Sequence, residues 1–181
     1  MAAAQSSYYA QSAVPAPERP ALAGQLEADV CVIGGGIAGC STALHLAERG
    51  YRVALLEAQR IGYGASGRSG GQAIAGYACG QGKLERQIGF ENARRMWDIS
   101  VEGLRLVREL IARHQIECDW VDGHMLTALK PRHERELLTE IEELRSQYGY
   151  ESVRYMARDE VRSLIQSERY SAASYDSHAH A

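Results

Sequence analysis

The chain has 181 residues and a formal net charge of −3, with 45% hydrophobic and 24% charged residues. Lysine and arginine are interleaved with aspartate and glutamate, which excludes the clustered basic excess of nucleic-acid-binding proteins. The longest apolar run is too short and too rich in glycine to cross a bilayer, so we predict neither a nucleic-acid partner nor a membrane span.

Residues 1–26 form a polar arm containing alanine and proline, which we expect to be loosely ordered. The arm has neither a basic start nor an apolar h-region, so it shows no secretory signal. No Cys-x-x-Cys pair occurs, which argues against a structural metal. We expect Cys31 and Cys40 to be buried as small apolar residues, and we expect the protein to work in the reducing cytoplasm.

The most informative element is a β-branched strand followed by a glycine-rich turn and a helix. The turn contains Gly34, Gly36 and Gly39. These glycines allow a sharp bend, a close approach of the backbone to a pyrophosphate, and tight packing of the helix on the strand. Free N–H groups at the helix start, where Ile37 and Ala38 lie, then favour a phosphate. The alternative is a glycine-rich turn in another kind of α/β protein.

A second predicted strand follows the helix and ends at Glu57, 18 residues beyond Gly39. An acidic side chain at this point can accept hydrogen bonds from the two ribose hydroxyls of an adenosine. A 2′-phosphate would meet a like charge here, which disfavours NADP. We therefore include Glu57 and the adjacent Ala58 in the predicted dinucleotide site.

Residues 60–72 contain five glycines and lack the apolar periodicity of a crossover helix. A flexible backbone rich in N–H donors suits a pyrophosphate and the polar edge of a flavin ring. The predicted cofactor contacts in this segment are Ala65, Ser66, Arg68, Ser69, Gly70, Gly71 and Gln72. The alternative is a surface loop without a ligand.

Beyond Gly82, apolar residues recur at spacings of three and four through Arg113, which predicts one long helix with a core-facing stripe. Residues 118–121 and 123–129 are then predicted as two strands around an Asp122-Gly123 turn. These two strands would open a substrate domain.

The last predicted elements begin with a helix that starts at Pro131 and ends before Gly149. A short strand over residues 153–155 and a short helix over residues 159–165 complete the prediction. This part of the chain shows no internal repeat.

The histidines are scattered, and we predict no metal site among them. His178 and His180 form a His-x-His sequence, but no third ligand accompanies them. No Ser/His/Asp constellation or catalytic carboxylate pair can be assigned either, because nothing in the sequence fixes the relative positions of such groups.

Several motifs together resemble the N-terminal part of FAD-dependent oxidoreductases of the D-amino-acid oxidase, glycine oxidase and sarcosine oxidase superfamily. The glycine fingerprint and the Gly-Ala-Ser-Gly-Arg stretch at 64–68 carry this resemblance. The pieces at 75–77, 120–124, 128–133 and 167–170 make it closest to the gamma-glutamylputrescine oxidoreductase group. Ser69 stands where that group has Asn, which implies weaker positioning of the flavin rather than lost binding.

The resemblance implies an α/β fold in which a Rossmann-like FAD-binding βαβ unit precedes the start of an α+β substrate domain. The implied divisions are an arm at 1–26, the first part of the FAD-binding domain at 27–115, and a truncated substrate domain at 116–181. We expect an incomplete sheet and a fragment of a longer enzyme, because relatives continue well beyond this length.

The implied reaction is oxidation of a primary amine such as gamma-glutamylputrescine to the aldehyde. Dioxygen is the implied electron acceptor, and ammonia and hydrogen peroxide are released. One alternative is an FAD oxidoreductase acting on D-amino acids, glycine or N-methyl amino acids. A second alternative is a noncatalytic nucleotide-binding fragment.

Overall fold

The computed structural model describes residues 7–180. These residues divide into two compact units, and the boundary in the sequence lies between Gly70 and Gly71. Both units combine helices with small sheets, as the predicted α/β fold requires. Within the described range, no helix combines the length and the apolar character needed to cross a membrane. The domain boundary expected at 115/116 stays a prediction.

The first unit contains the predicted βαβ arrangement. Its elements are α1 (Tyr8–Ser12), β1 (Val30–Ile33), α2 (Ile37–Glu48), β2 (Val53–Leu56) and a 3₁₀ helix (Ala65–Arg68). β1 and β2 are parallel, with Val30 opposite Val53, and α2 packs on both strands. The prediction of two parallel strands joined by a helix is therefore confirmed.

One face of this two-stranded sheet is open. Val32 is partly covered, whereas Cys31 and Ile33 are exposed, Ile33 at 86%. Successive strand residues point to opposite faces, so covering one face by α2 leaves the other uncovered. The expected burial of Cys31 was wrong for this reason, and Cys40 on α2 is only partly buried. Among residues 7–70, Gly35 is the only buried residue.

The second unit is built on an antiparallel sheet. Its elements are α3 (Gln81–Ile88), α4 (Phe90–His114), β3 (His124–Ala128), α5 (Pro131–Ser146), β4 (Val153–Ala157), α6 (Arg158–Leu164) and β5 (Ala172–Asp176). The strand order is β3-β5-β4. α5 contacts all three strands, and its buried Leu137 packs against Ala128 and Ala172. The middle strand, β5, thus pairs with a strand on each edge and is covered by α5.

The core of the second unit joins α4 to the sheet region through aromatic rings. The ring of Trp97 lies 5.6 Å from that of Tyr148 and 5.2 Å from that of Tyr150, between centroids. Ile141 of α5 and Val153 of β4 complete this cluster. Offset and edge contacts of this kind add to the free energy gained by apolar burial.

Two predictions in the second unit were wrong and one strand was missed, and the backbone shows why. The single long helix is two helices, because Gly89 adopts a φ of 79° between α3 and α4. Residues 118–121 form no strand, since Asp119 has a φ of 52°. β3 instead pairs with β5, which was not predicted. The predicted helix from Pro131, the strand near 153–155 and the helix near 159–165 are confirmed.

Candidate functional site

The glycine turn between β1 and α2 brings the strand and the helix unusually close together. Gly34 has a φ of 103°, and its N–H donates to the Leu56 carbonyl at 2.8 Å. A Cβ on Gly39 would lie 1.9 Å from the Gly34 carbonyl oxygen, far inside van der Waals contact. Only glycine fits at position 39 with this backbone.

The start of α2 presents backbone N–H groups beyond the turn. Ile37 N–H donates to the Ser66 hydroxyl oxygen at 3.0 Å. The N–H groups of Ala38 and Gly39 have no acceptor within residues 7–180. Unpaired N–H groups and the helix dipole make such a terminus a site for anions. Because the Ser66 oxygen already accepts from Ile37, its own proton is available to an anionic ligand.

The Glu57 carboxylate is fixed by two backbone donors just after β2. Its Oε2 accepts from Gly35 N–H at 2.7 Å, and its Oε1 accepts from Gln59 N–H at 2.9 Å. These hydrogen bonds, that from Gly35 first, lower the pKa of Glu57 below its usual range. The side chain is therefore anionic near neutral pH, and it retains lone pairs for further donors.

Gly35 links the two predicted parts of the dinucleotide site, although sequence reasoning left it out. Its N–H binds Glu57, and its carbonyl accepts from Gly62 N–H at 2.8 Å. A Cβ here would lie 2.5 Å from the Ile61 Cδ1 atom. The run of three consecutive glycines at 34–36 was the available signal, because a fingerprint alone requires only the first and third.

The glycine-rich segment folds into a tight turn against itself. A Cβ on Gly67 would lie 1.9 Å from the Gly62 carbonyl oxygen. The guanidinium carbons of Arg60 and Arg68 each lie 5.9 Å from the centroid of the Tyr63 ring. Two cations at one ring give this turn a positive surface, which suits a pyrophosphate.

The structure brings some of the predicted contacts together and leaves others separate. Within residues 7–70, the glycine turn, Glu57 and Ser66 form one connected hydrogen-bonded set. Exposed predicted contacts of that unit are Ala58, Ala65, Arg68, Gly70 and Ser69, whose N–H donates to the Ser66 carbonyl at 3.5 Å. Gly71 and Gln72 are exposed residues of the second unit, and Gly71 has a φ of 83°.

The second unit contains a cavity of about 190 Å³ next to its aromatic core. Its walls include the rings of Trp97 and Tyr150 and the carboxylate of Asp176. The Tyr150 hydroxyl donates to Asp176 Oδ2 at 2.8 Å, and burial, followed by this hydrogen bond, raises the pKa of Tyr150 well above its usual value. Aromatic faces together with carboxylates are groups that hold organic cations.

Two further acceptors line the same cavity. The Gln81 side-chain oxygen is buried and has no hydrogen-bond donor within the described residues. The pKa of Glu140 is raised by desolvation and by the neighbouring negative charge of Glu143. A positively charged ligand that donates hydrogen bonds would satisfy the unpaired amide oxygen and would reduce the repulsion between the two carboxylates.

A Ser–His contact in the second unit was not predicted. His178 Nδ1 lies 2.7 Å from the Ser152 hydroxyl oxygen. Asp176 accepts from the backbone N–H of His178 at 2.9 Å, so its carboxylate does not orient the imidazole ring. The arrangement is therefore not a Ser-His-Asp triad, since the third member must hold the ring itself.

The first unit fits the adenosine diphosphate part of FAD. Position 39 is restricted to glycine, and the start of α2 offers unpaired N–H groups. The Glu57 carboxylate is held in the ionised form required to accept from ribose hydroxyls. Close backbone approach, free donors and a fixed acidic acceptor are the three requirements of a dinucleotide fingerprint.

Comparison with known proteins gives a family match over most of the chain. The profile of the DAO family, described as "FAD dependent oxidoreductase", matches residues 29–181. The chain is 39% identical over 171 residues to gamma-glutamylputrescine oxidoreductase of Escherichia coli, covering 94% of this chain and 40% of that protein. It is 37% identical over 173 residues to the probable oxidoreductase OrdL of Haemophilus influenzae, covering 96% and 40% respectively.

Solved structures agree with this match. Glycine oxidase from Bacillus cereus is similar with a TM-score of 0.58 and 26% identity, covering 85% of this chain and 39% of that one. L-amino acid deaminase from Proteus myxofaciens has a TM-score of 0.70 at 21% identity, covering 91% and 35%, which indicates a shared fold. The chain thus spans about 40% of the length of the curated relatives named above.

Proposed function

Because the chain belongs to the DAO family of FAD-dependent oxidoreductases, we propose that it supplies the adenosine diphosphate site of an enzyme that oxidises primary amines. The observation that carries this proposal is the glycine turn, in which the start of α2 and the anionic Glu57 are joined through Gly35. We also propose a small molecule as the substrate, in keeping with the FAD-dependent oxidoreductase family of the chain.

Each residue of the turn has a distinct proposed role. Ala38 and Gly39 donate their N–H groups to the pyrophosphate, and the Ser66 hydroxyl donates beside them. Glu57 accepts from the ribose hydroxyls, and its charge rejects a 2′-phosphate. The Arg68 guanidinium adds positive charge next to the phosphates. For Gly71 and Gln72, a cofactor contact is proposed from their place in the sequence alone.

The substrate proposed is an amine of the gamma-glutamylputrescine type. FAD, when bound, supplies a two-electron acceptor for a hydride equivalent from the carbon that bears the amine. Water would hydrolyse the resulting imine to the aldehyde and ammonia, with hydrogen peroxide formed from dioxygen. The 39% identity to the Escherichia coli enzyme supports this choice. The cavity, with its carboxylates and unpaired Gln81 oxygen, also suits an ammonium group.

Two other functions have specific support. The first is oxidation of D-amino acids, glycine or N-methyl amino acids, and similarity to a glycine oxidase structure at 26% identity favours glycine among them. A nucleotide-binding chain without catalysis is the second alternative, because the hydrogen-bonded set around Gly35 and Glu57 concerns only the adenosine diphosphate part of FAD. We also propose a cytoplasmic location, because Cys31, Cys40, Cys79 and Cys118 are all unpaired, as is usual in a reducing compartment.

The test is a visible absorption spectrum of the purified chain after incubation with FAD and removal of free cofactor. We expect retained flavin bands, and bleaching under anaerobic conditions by gamma-glutamylputrescine but not by glycine or D-alanine. Bleaching by glycine or D-alanine instead would select the alternative substrates. Bound flavin that no amine bleaches would select the noncatalytic function. A colourless protein would contradict an FAD site in this chain.

A further inference from the structure

The His-x-His sequence at residues 178–180 lies against two distant parts of the second unit. We call residues 178–180 the clasp. Its Ala179 carbonyl accepts from Gly123 N–H at 2.7 Å, at the start of β3. His180 exchanges two backbone hydrogen bonds with Ala73, both at 2.9 Å. The clasp thus ties Ala73, which directly follows Gly71 and Gln72, to the edge of the sheet.

The His180 ring is held from two directions. It stacks on the Trp120 indole, with ring centroids 4.5 Å apart and planes inclined by 20°. Its Nδ1 lies 3.0 Å from the Val121 nitrogen and 2.7 Å from the Val121 carbonyl oxygen. One tautomer accepts from this N–H and the other donates to this C=O, so either neutral form has a hydrogen-bond partner.

The surface under the His180 ring is itself fixed to α4. Trp120 Nε1 donates to Asp122 Oδ1 at 2.8 Å, and the Arg108 guanidinium carbon lies 5.5 Å from the Trp120 ring centroid. Arg108 also donates to the His178 carbonyl at 3.1 Å. The contacts therefore run without a break from α4, through Trp120 and His180, to Ala73.

We propose that His180 is a positioning residue that holds Ala73 in place and thereby orders the Gly71-Gln72 end of the glycine-rich segment. Gly71 and Gln72 are exposed, and Ala73 is partly buried. Within the described residues, the Ala73 backbone is held by its two hydrogen bonds with the His180 backbone, one donated and one accepted. Without the ring contacts, the clasp would rest on backbone hydrogen bonds that open to solvent more easily. The consequence for FAD binding rests on the proposed function, whereas the ordering of Ala73 does not.

The experiment measures amide hydrogen exchange by NMR on the 181-residue chain. We compare His180→Ala and His180→Phe with His178→Ala, the matched control, whose lost imidazole contacts Ser152 rather than Trp120. We expect Ala73 and Gly123 to exchange at least about tenfold faster in His180→Ala and less so in His180→Phe, which keeps the stacking. The control should leave Ala73 close to the wild-type rate, and β4 amides report global unfolding.

Two outcomes would overturn the ordering of Ala73 by His180, and a third would overturn its consequence for FAD binding. The first is an unchanged Ala73 rate in His180→Ala. The second is an increase in Ala73 amide exchange no greater than that of the β4 amides in both His180 variants. The ring would then stabilise the whole unit and have no specific effect on Ala73. The third is an equal FAD dissociation constant for the wild type and His180→Ala, because we expect FAD to bind about tenfold more weakly to the variant. If the wild type binds no FAD but Ala73 responds as expected, the proposed cofactor site fails and the ordering of Ala73 by His180 is supported.

Discussion

Replacing Gly39 with alanine has two opposing effects on stability. Alanine favours the helical conformation of α2, but its Cβ obstructs the close approach of α2 to β1. The added Cβ would lie 1.9 Å from the Gly34 oxygen and 3.1 Å from the Gly34 carbonyl carbon. Carbon atoms in good contact are about 3.5–4.0 Å apart, so the start of α2 must move by about 1 Å or more. Overpacking of this kind costs about 1–3 kcal/mol. That loss would outweigh the gain of up to about 1 kcal/mol that alanine brings to a helix.

Gly64→Ala is the matched control, because Gly64 has a φ of −77° and nothing within 4 Å of its missing Cβ. We expect it to leave stability unchanged or to raise it by about 0.4–1 kcal/mol through the unfolded chain. The assay is amide exchange in β1 and β2. Tryptophan fluorescence would not report on the first unit, because both tryptophans lie in the second. Subtracting the gain of about 1 kcal/mol in helix propensity leaves a net cost of up to about 2 kcal/mol, so we expect exchange to accelerate by up to about 30-fold in Gly39→Ala. Equal protection in the two variants would refute the close-packing argument.

Three further predictions concern single side chains. Glu57→Gln should weaken FAD binding at pH 7 at least about tenfold, because an amide donor replaces one charged acceptor; equal dissociation constants would exclude the ribose role. The pKa of Glu57 is lowered from 4.5 in the folded chain, so Glu57 is fully ionised above pH 4.5. The difference in FAD affinity between wild type and Glu57→Gln should therefore be complete above pH 4.5, and it should disappear as the pH falls through the lowered pKa. Arg68→Ala should reduce flavin retention, measured by absorbance, whereas Arg49→Ala, the same charge change at the end of α2, should not. Tyr150→Phe should cost about 1–2 kcal/mol in urea unfolding followed by tryptophan fluorescence, because Asp176 loses a donor; an unchanged midpoint would contradict a stabilising role for that hydrogen bond.

The sequence predicted those elements whose signal is local. The βαβ unit follows from its glycine spacing and from the acidic residue that ends the second strand. The helix from Pro131 follows from its apolar face and from the fixed φ of proline at the first turn. In each case, neighbouring residues alone determine the conformation, so no knowledge of distant contacts was needed.

The elements that were missed depend on distant pairing or on a single backbone angle. β5 is the middle strand, and its partners β3 and β4 are each separated from it in the sequence by at least one helix. Gly89 interrupts an apolar stripe that continues on both sides, so periodicity alone could not reveal the break. The exposure of Cys31 depends on which face of the sheet α2 covers. The link through Gly35 depends on where Glu57 and Gly62 lie in space.

The scarcity of buried side chains in the first unit couples its folding to cofactor supply. Among residues 7–70 only Gly35 is buried, so little apolar burial opposes the conformational entropy of the unfolded segment. A ligand that binds only the folded form adds about 2.7 kcal/mol at one hundred times its dissociation constant. FAD would therefore act as a folding ligand for this unit. Its concentration would set how much of residues 7–70 resists proteolysis, before any turnover takes place.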